Sequence, residues 1–272
     1  MSEHKPARVS TLAMAFLRKD ATEEFSYPLT LLLGELGLFV PMIAYLFIGD
    51  LVGDSEIVGG DYFTYAAIGI AITVVLQAAL SGFGNALQMS QSRGQFETLL
   101  VEPIPWLYLP LTMNAWRVLL GLVSGLMVLL LAVVLGADII PAGIPQFAVL
   151  LLLGITCETA VGVLAASLMV VAKRAQPVLT VYGLAASLVG GALFSVDQLP
   201  SWIRWVSYLV PRTYVINGSR TALMEDPGTF VITFGTAVVV LTVFSIVGMC
   251  LGFWLLSRSM QYARREGILG GY

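Results

Sequence analysis

Long apolar runs and shorter polar stretches alternate along the chain. Each apolar run holds about 20 residues or more, which is the length an α-helix needs to cross a hydrocarbon layer of about 30 Å. The pattern predicts six membrane-spanning helices, at Tyr27–Ile48, Tyr62–Met89, Trp106–Leu135, Gln146–Ala172, Pro177–Val196 and Phe230–Leu256. The expected fold is an all-α membrane protein with one transmembrane domain over residues 1–272, in which the six-span bundle takes residues 27–256.

The charges between the spans predict their orientation. Ten of the 14 Lys and Arg residues fall in the N-terminus, in the segments after the second and fourth spans, and in the tail at residues 257–272. The segment after the first span, Gly49–Asp61, carries acidic residues and no basic one. Because Lys and Arg concentrate on the cytoplasmic side, we expect a multi-pass protein of the cell membrane with both termini cytoplasmic.

Two stretches outside the spans also have helical patterns. Within residues 1–26, apolar side chains recur at helical spacing from Arg8 to Phe25, with charges available to the other face, so we expect a helix lying in the cytoplasmic interface. Between spans five and six, Trp202 and Trp205 recur before Pro211. Tryptophan favours the headgroup boundary, so short external re-entrant helices are expected there.

Composition excludes two classes of protein. The chain is 58% hydrophobic and only 11% charged, whereas soluble domains carry about 25% charged residues. A net charge of −3 without clustered Lys and Arg gives no basis for nucleic acid as a partner. A water-soluble fold and a nucleic-acid-binding function are therefore excluded.

The chain also lacks the residues of common catalytic sites. Its three lysines, Lys5, Lys19 and Lys173, are followed by Pro, Asp and Arg, whereas a Walker A phosphate loop needs Lys followed by Ser or Thr. His4 is the only histidine, so a histidine-based metal site or catalytic triad is unavailable. We expect a protein that is not an enzyme and that binds no metal or cofactor within this chain.

The loop after the second span carries the most informative motif. Residues 92–110 read SRGQFETLLVEPIPWLYLP, in which Phe96, Leu99 and Leu100 form one apolar side of a short predicted helix that ends at Pro103. This loop resembles the arginine-glycine, glutamate, double-leucine and proline pattern that follows the second span in ABC type-2 exporter permeases. A simpler interpretation is a helix that packs on lipid headgroups.

Two further segments are similar to the same family. Residues 190–224, GGALFSVDQLPSWIRWVSYLVPRTYVINGSRTALM, resemble its fifth-span exit, its external helices and the arginine that follows them. Residues 263–272, ARREGILGGY, resemble a tail found in one bacterial and archaeal subgroup. The resemblance therefore covers nearly the whole chain.

The resemblance implies half of a membrane channel. Such a permease pairs with a second copy or a paralogue and docks a separate ABC ATPase subunit, which would hold ATP and magnesium. It would move an amphiphilic cargo outward by alternating access, the cargo being a drug, a lipid or a lipid-linked glycan. The N-terminal helix would be the connecting helix. The residues of the coupling helix that contacts the ATPase would be Arg93, Gly94, Phe96, Glu97, Leu99 and Leu100.

The resemblance also directs attention to a pathway and an external gate. The family's pathway lies mainly between the second and fifth spans of the two halves, and aromatic and amide side chains there suit an amphiphile. Ordinary helix packing explains any one of these residues equally well. The pathway candidates are Gln77, Phe83, Asn85, Tyr182 and Phe194. The external gate candidates are Pro200, Trp202, Pro211 and Arg220.

Two acidic residues lie inside predicted spans, where an ionisable group needs a partner or a water-lined path. Glu35 and Arg117 lie about 12 Å and 16 Å from the cytoplasmic side of their spans, counted at about 1.5 Å per residue, so we expect an ion pair, with a cargo contact as the alternative. Glu158 has no basic residue at matching depth; it is protonated, hydrogen-bonded to a neighbouring helix, or in contact with cargo or protons. A six-span secondary transporter or channel that uses Glu35 or Glu158 is the alternative function.

Overall fold

The computed structural model describes residues 9–52, 61–92, 109–172 and 176–265, and all regular structure within these ranges is helical. Short 3₁₀ turns lie at Pro141–Gly143 and Val196–Gln198. The helices are α1 (Val9–Phe25), α2 (Pro28–Val52), α3 (Tyr62–Ser92), α4 (Leu109–Val134), α5 (Ile144–Ala172), α6 (Gln176–Val189), α7 (Ser201–Ser207), α8 (Pro211–Leu223) and α9 (Phe234–Arg265).

Five of these helices are long and apolar enough to cross a membrane, namely α2, α3, α4, α5 and α9. This confirms the prediction of an all-α membrane protein. α9 continues to Arg265, so the first part of the predicted tail is helical. The predicted N-terminal helix is present as α1, and it packs against α4 and the start of α2.

The fifth predicted span is shorter than the sequence indicated. α6 has 14 residues, a length of about 21 Å, and it ends at Val189 rather than at Val196. The chain turns at Gly190 and Gly191, where the φ of +78° at Gly191 is the left-handed conformation that terminates helices. The described residues therefore contain five helices that are long and apolar enough to span a membrane, and one shorter apolar helix at this position.

α3 lies at the centre of the bundle and contacts α2, α4, α5, α6 and α8. Small residues allow the close approach: a Cβ on Gly121 of α4 would lie 2.5 Å from Ala78, and one on Gly162 of α5 would overlap the carbonyl of Leu80. Without a hydrophobic driving force between helices in lipid, such close packing is a main source of association. Any motion of α3 therefore reaches most of the bundle.

α8 differs from the long helices in its composition and its position. Its sequence, PRTYVINGSRTAL, contains two arginines, yet every residue from Pro211 to Arg220 is buried. It packs among α3, α5, α6 and α9. Its far end meets the start of α5, where the Ile140 amide donates a hydrogen bond to the Leu223 carbonyl at 2.8 Å. A polar helix thus occupies the interior of an apolar bundle.

Candidate functional site

An ion pair between Glu158 of α5 and Arg212 of α8 lies in the interior of the bundle. Arg212 Nε donates to Glu158 Oε1 at 2.8 Å, and the side chains are 0% and 1% exposed, respectively. The structure thus answers the open question about Glu158: its partner is an arginine on a neighbouring helix. The sequence reasoning missed Arg212 because it assigned the segment between the fifth and sixth spans to external re-entrant helices, and so gave it no basic residue at the depth of Glu158.

Arg212 also binds α6. Its Nη1 donates to the Gly183 carbonyl at 3.0 Å and to Ser187 Oγ at 2.7 Å. Among the described residues, Arg212 Nη2 and Glu158 Oε2 have no hydrogen-bond partner. One guanidinium therefore connects three helices while part of its hydrogen-bonding capacity stays unused. An arrangement of this kind is costly to desolvate and sensitive to the loss of either charge.

Arg220, about two turns further along α8 than Arg212, is held by backbone carbonyls and an aromatic ring. It donates to the carbonyls of Gly191 and Ala192 at 2.6 Å each, and to the Tyr65 carbonyl at 3.0 and 3.2 Å. Its guanidinium carbon lies 3.3 Å from the centroid of the Tyr65 ring, which adds a cation–π contact. The turn after α6, the start of α3 and α8 are thereby fastened together.

The early end of α6 explains how Arg220 is accommodated. A helix that stops inside a bundle leaves carbonyl groups without intrahelical donors. The carbonyls of Gly191 and Ala192 lie just beyond that end, and they accept hydrogen bonds from Arg220. The polar side chains of α8 thus satisfy backbone groups that an unbroken span would have paired internally.

The profile of the ABC-2 type transporter family matches residues 31–224, well over half of the chain. The chain belongs to the ABC-2 type transporter family. The match ends directly after α8, so it includes Glu158 and both arginines and leaves out α1 and α9. This confirms the family resemblance, and the chain is an ABC permease subunit, a multi-pass membrane protein of transport rather than of catalysis. No curated protein matches the chain.

The pathway candidates of this ABC-2 permease are distributed over three places. The side-chain amide of Gln77 lies so close to Gly183 that a Cβ on Gly183 would overlap it. Tyr182 packs on the small cluster formed by Leu80, Ala165 and Leu179. Phe83 is buried. Asn85 lines a cavity between α1, α3 and α4, and Phe194 follows the turn after α6. The structure brings Gln77 and Tyr182 to the α3–α6 interface and leaves Asn85 and Phe194 away from it.

The predicted ion pair between Glu35 and Arg117 is wrong. Glu35 Oε1 accepts a hydrogen bond from Ser124 Oγ at 2.7 Å, whereas Arg117 Nη2 lies 3.8 Å from Glu24 Oε2. The depth count assumed that α2 and α4 start at the same level. Glu24 and Phe25, just before α2, lie beside Arg117 and Trp116, so Arg117 is at the level where α2 begins. Glu35, about 10 Å further along α2, therefore reaches the level of Ser124.

The gate candidates have different environments. Pro200 and Trp202 begin α7, and the Trp202 side chain is 71% exposed. Pro211 is the buried first residue of α8, and Arg220 is the buried arginine described above. The six predicted coupling residues, Arg93 to Leu100, lie outside the described part of the chain.

Proposed function

We propose that this permease forms, with a second copy or a paralogue, the membrane channel of an ATP-driven exporter powered by a separate ABC ATPase subunit. Its cargo is an amphiphile, such as a drug, a lipid or a lipid-linked glycan, which moves outward by alternating access. Membership in the ABC-2 family and the surface of α6 support this proposal.

The observation that carries the proposal is an uncovered apolar stripe on α6. Val178, Val181, Leu184 and Leu188 recur at helical spacing, and each side chain is more than half exposed. The opposite face of the same helix holds Gly183 and Ser187, which bind Arg212. α6 is therefore anchored on one side and open on the other, as a helix that lines the boundary between two permeases would be.

The position of the predicted coupling segment supports an ATPase partner. Residues 93–100 follow directly on the last residue of α3, Ser92, and α3 is the central helix of the bundle. A force that the closing ATPases apply to that segment acts on α3. Through α3 it reaches the Tyr65 carbonyl, which accepts a hydrogen bond from Arg220, and Gln77, which lies against Gly183 of α6.

Orientation completes the proposal. The ATPase must bind the cytoplasmic side, so both termini and residues 93–108 face the cytoplasm. Reporter fusions at the two termini and after Val52 test this: a cytoplasmic fluorescent reporter should be active at both termini, and a periplasmic phosphatase reporter should be active after Val52 only.

The double variant Phe96→Ala with Leu99→Ala tests coupling. We expect the rate of ATP-driven transport of an NBD-labelled phospholipid or a fluorescent cationic amphiphile in inverted vesicles to fall about tenfold or more. The reason is that the variant removes two side chains that would fill a groove on the ATPase subunit. A matched control truncates two exposed apolar residues of α9, Val243→Ala with Leu251→Ala, and should transport normally. Normal transport and unchanged ATPase association in the Phe96 and Leu99 variant would refute the docking role.

A further inference from the structure

A cavity of about 690 Å³ lies between α1 and the bundle. Its walls come from α1, from the first residues of α2, from the C-terminal half of α3 and from the N-terminal half of α4. The volume falls in the range of about 300–1,000 Å³ that is typical of small-ligand sites. It lies within one chain and apart from the α6 stripe, which is proposed to line the boundary between two permeases.

The cavity presents charges of both signs. Arg117 Nη2 lies 3.8 Å from Glu24 Oε2, and Lys19 Nζ lies 3.7 Å from Asp20 Oδ1. Both distances exceed those of close charge-assisted hydrogen bonds, which measure about 2.7–2.9 Å. The Arg117 and Lys19 side chains are half exposed. Each pair is therefore loose, and an incoming group can replace one partner without breaking a tight contact.

The acidic half of the site is partly shielded from water. Burial raises the pKa of the Asp20 carboxyl, while the neighbouring Lys19 ammonium opposes that shift. A partly buried carboxylate attracts a bound cation more strongly than an exposed carboxylate does, because the effective dielectric constant around it is lower. The Asp20 side of the cavity thus favours an ammonium group.

The remaining walls combine apolar side chains with uncharged polar ones and with a third carboxylate, that of Glu23. Phe16, Met89, Met113 and Trp116 line the cavity, and Phe25 packs against the Trp116 ring with the centroids 6.0 Å apart. Trp116 Nε1 is buried and has no acceptor among the described residues. A ligand with an apolar part and a hydrogen-bond acceptor near its charged end would match these walls.

We propose that this cavity binds the headgroup of a zwitterionic phospholipid, with the phosphate on Arg117 and Lys19 and the ammonium on Asp20 and Glu24. The acyl chains extend along the apolar walls into the surrounding leaflet. The occupant is a lipid because the cavity lies beside α1, the helix expected in the membrane interface, and at the level where the candidate span α2 begins. An anionic lipid would leave the carboxylates unmatched, and a purely cationic amphiphile would leave Arg117 and Lys19 unmatched.

Lipid binding to the full-length purified permease tests the proposal. Native mass spectrometry after delipidation, with phosphatidylethanolamine and phosphatidylglycerol titrated separately, gives the two apparent affinities. We expect the wild-type chain to bind phosphatidylethanolamine about tenfold more tightly, which corresponds to one charge-assisted hydrogen bond. Equal affinity for the two lipids would overturn the proposal.

Two variants should change the affinities in distinguishable ways. Arg117→Gln removes a phosphate ligand and should weaken both lipids about tenfold. Glu24→Gln removes an ammonium ligand and frees Arg117, so it should weaken phosphatidylethanolamine and strengthen phosphatidylglycerol. A merely structural role would shift both lipids in the same direction in both variants, which would overturn the proposal.

One control and one additional variant complete the experiment. Asp197→Asn neutralises a carboxylate that pairs with Arg204 at 3.9 Å outside the cavity, and it should leave both affinities unchanged. Lys19→Gln provides a second phosphate-side variant if the Arg117→Gln protein does not fold, and it should weaken both lipids. An unchanged phosphatidylethanolamine affinity in Lys19→Gln and Glu24→Gln would refute the assignment.

Discussion

The Glu158–Arg212 pair makes the sharpest prediction about stability. Glu158→Gln keeps the shape of the side chain and its acceptor oxygen, but it leaves the Arg212 charge uncompensated in an interior where both side chains are at most 1% exposed. Breaking a buried pair in this way costs about 3–5 kcal/mol. The Glu158→Gln permease should still fold, but its thermal stability should be much lower than that of the wild type.

Thermal unfolding of detergent-solubilised permease, followed by size-exclusion chromatography with fluorescence detection, measures this loss. A chain of this size loses roughly 2–4 °C of Tm for each kcal/mol, so Glu158→Gln should lower Tm by about 10 °C. Asp197→Asn provides the matched control, because its partner Arg204 lies 3.9 Å away and both side chains are more than a third exposed. Such a pair contributes at most about 1 kcal/mol, and its Tm should change by less than about 3 °C.

A double variant separates the cost of an unpaired charge from the cost of altered packing. Adding Arg212→Met to Glu158→Gln removes the uncompensated charge, and at least half of the lost Tm should return, because replacing both partners of a buried pair is often neutral. If Glu158→Gln has the Tm of the wild type, or if the double variant is less stable than the single one, the reasoning fails.

Three further substitutions test other contacts of the bundle by the same measurement of Tm. Arg220→Lys keeps the charge, but the lysine ammonium cannot reach all the carbonyls that the planar guanidinium binds, so Tm should fall by several degrees. Arg258→Lys is the control: the Arg258 guanidinium lies 5.4 Å from the Trp254 ring, and its replacement should change Tm little. Gly162→Ala places a Cβ on a backbone carbonyl of α3 and should lower Tm by at least 5 °C, whereas Gly34→Ala has open space and should be neutral or slightly stabilising. Glu35→Gln should change Tm by less than about 3 °C, because its described partner is a serine hydroxyl that can donate equally well to an amide oxygen; a larger loss would show that the Glu35 charge is paired.

The spanning helices could be predicted because an apolar run of 20 residues has few alternatives in a bilayer. α2, α3, α4, α5 and α9 all fall within or across predicted spans, and the differences are confined to the ends. The end of α6 was misplaced because the residues after Gly191 are as apolar as those before it. A left-handed turn at a glycine leaves no trace in hydropathy.

The buried network could not be read from hydropathy at all. α8 is polar, so its arginines were assigned to an external segment and Glu158 was left without a partner. One signal pointed the other way: an intramembrane carboxylate needs a cation, and Pro211, which favours the first position of a helix, places Arg212 in the first turn of α8. The pairing of Glu35 failed for a different reason, because residue counts give a depth only when the starting level of each helix is known.

The burial of α8 also has a consequence for how the protein is made. A segment with two arginines in 13 residues is too polar to partition into the bilayer as an independent span, because each arginine costs about 2.5–3.5 kcal/mol at the centre of the membrane. With the orientation proposed above, α8 would cross to the outer side with the rest of its segment and enter the bundle afterwards. Its receiving groups, the Glu158 carboxylate and the carbonyls of Gly191 and Ala192, belong to segments that are synthesised earlier, namely α5 and the turn after α6. On that orientation we expect maturation to include a late step, after membrane insertion, in which α8 docks against α3, α5 and α6.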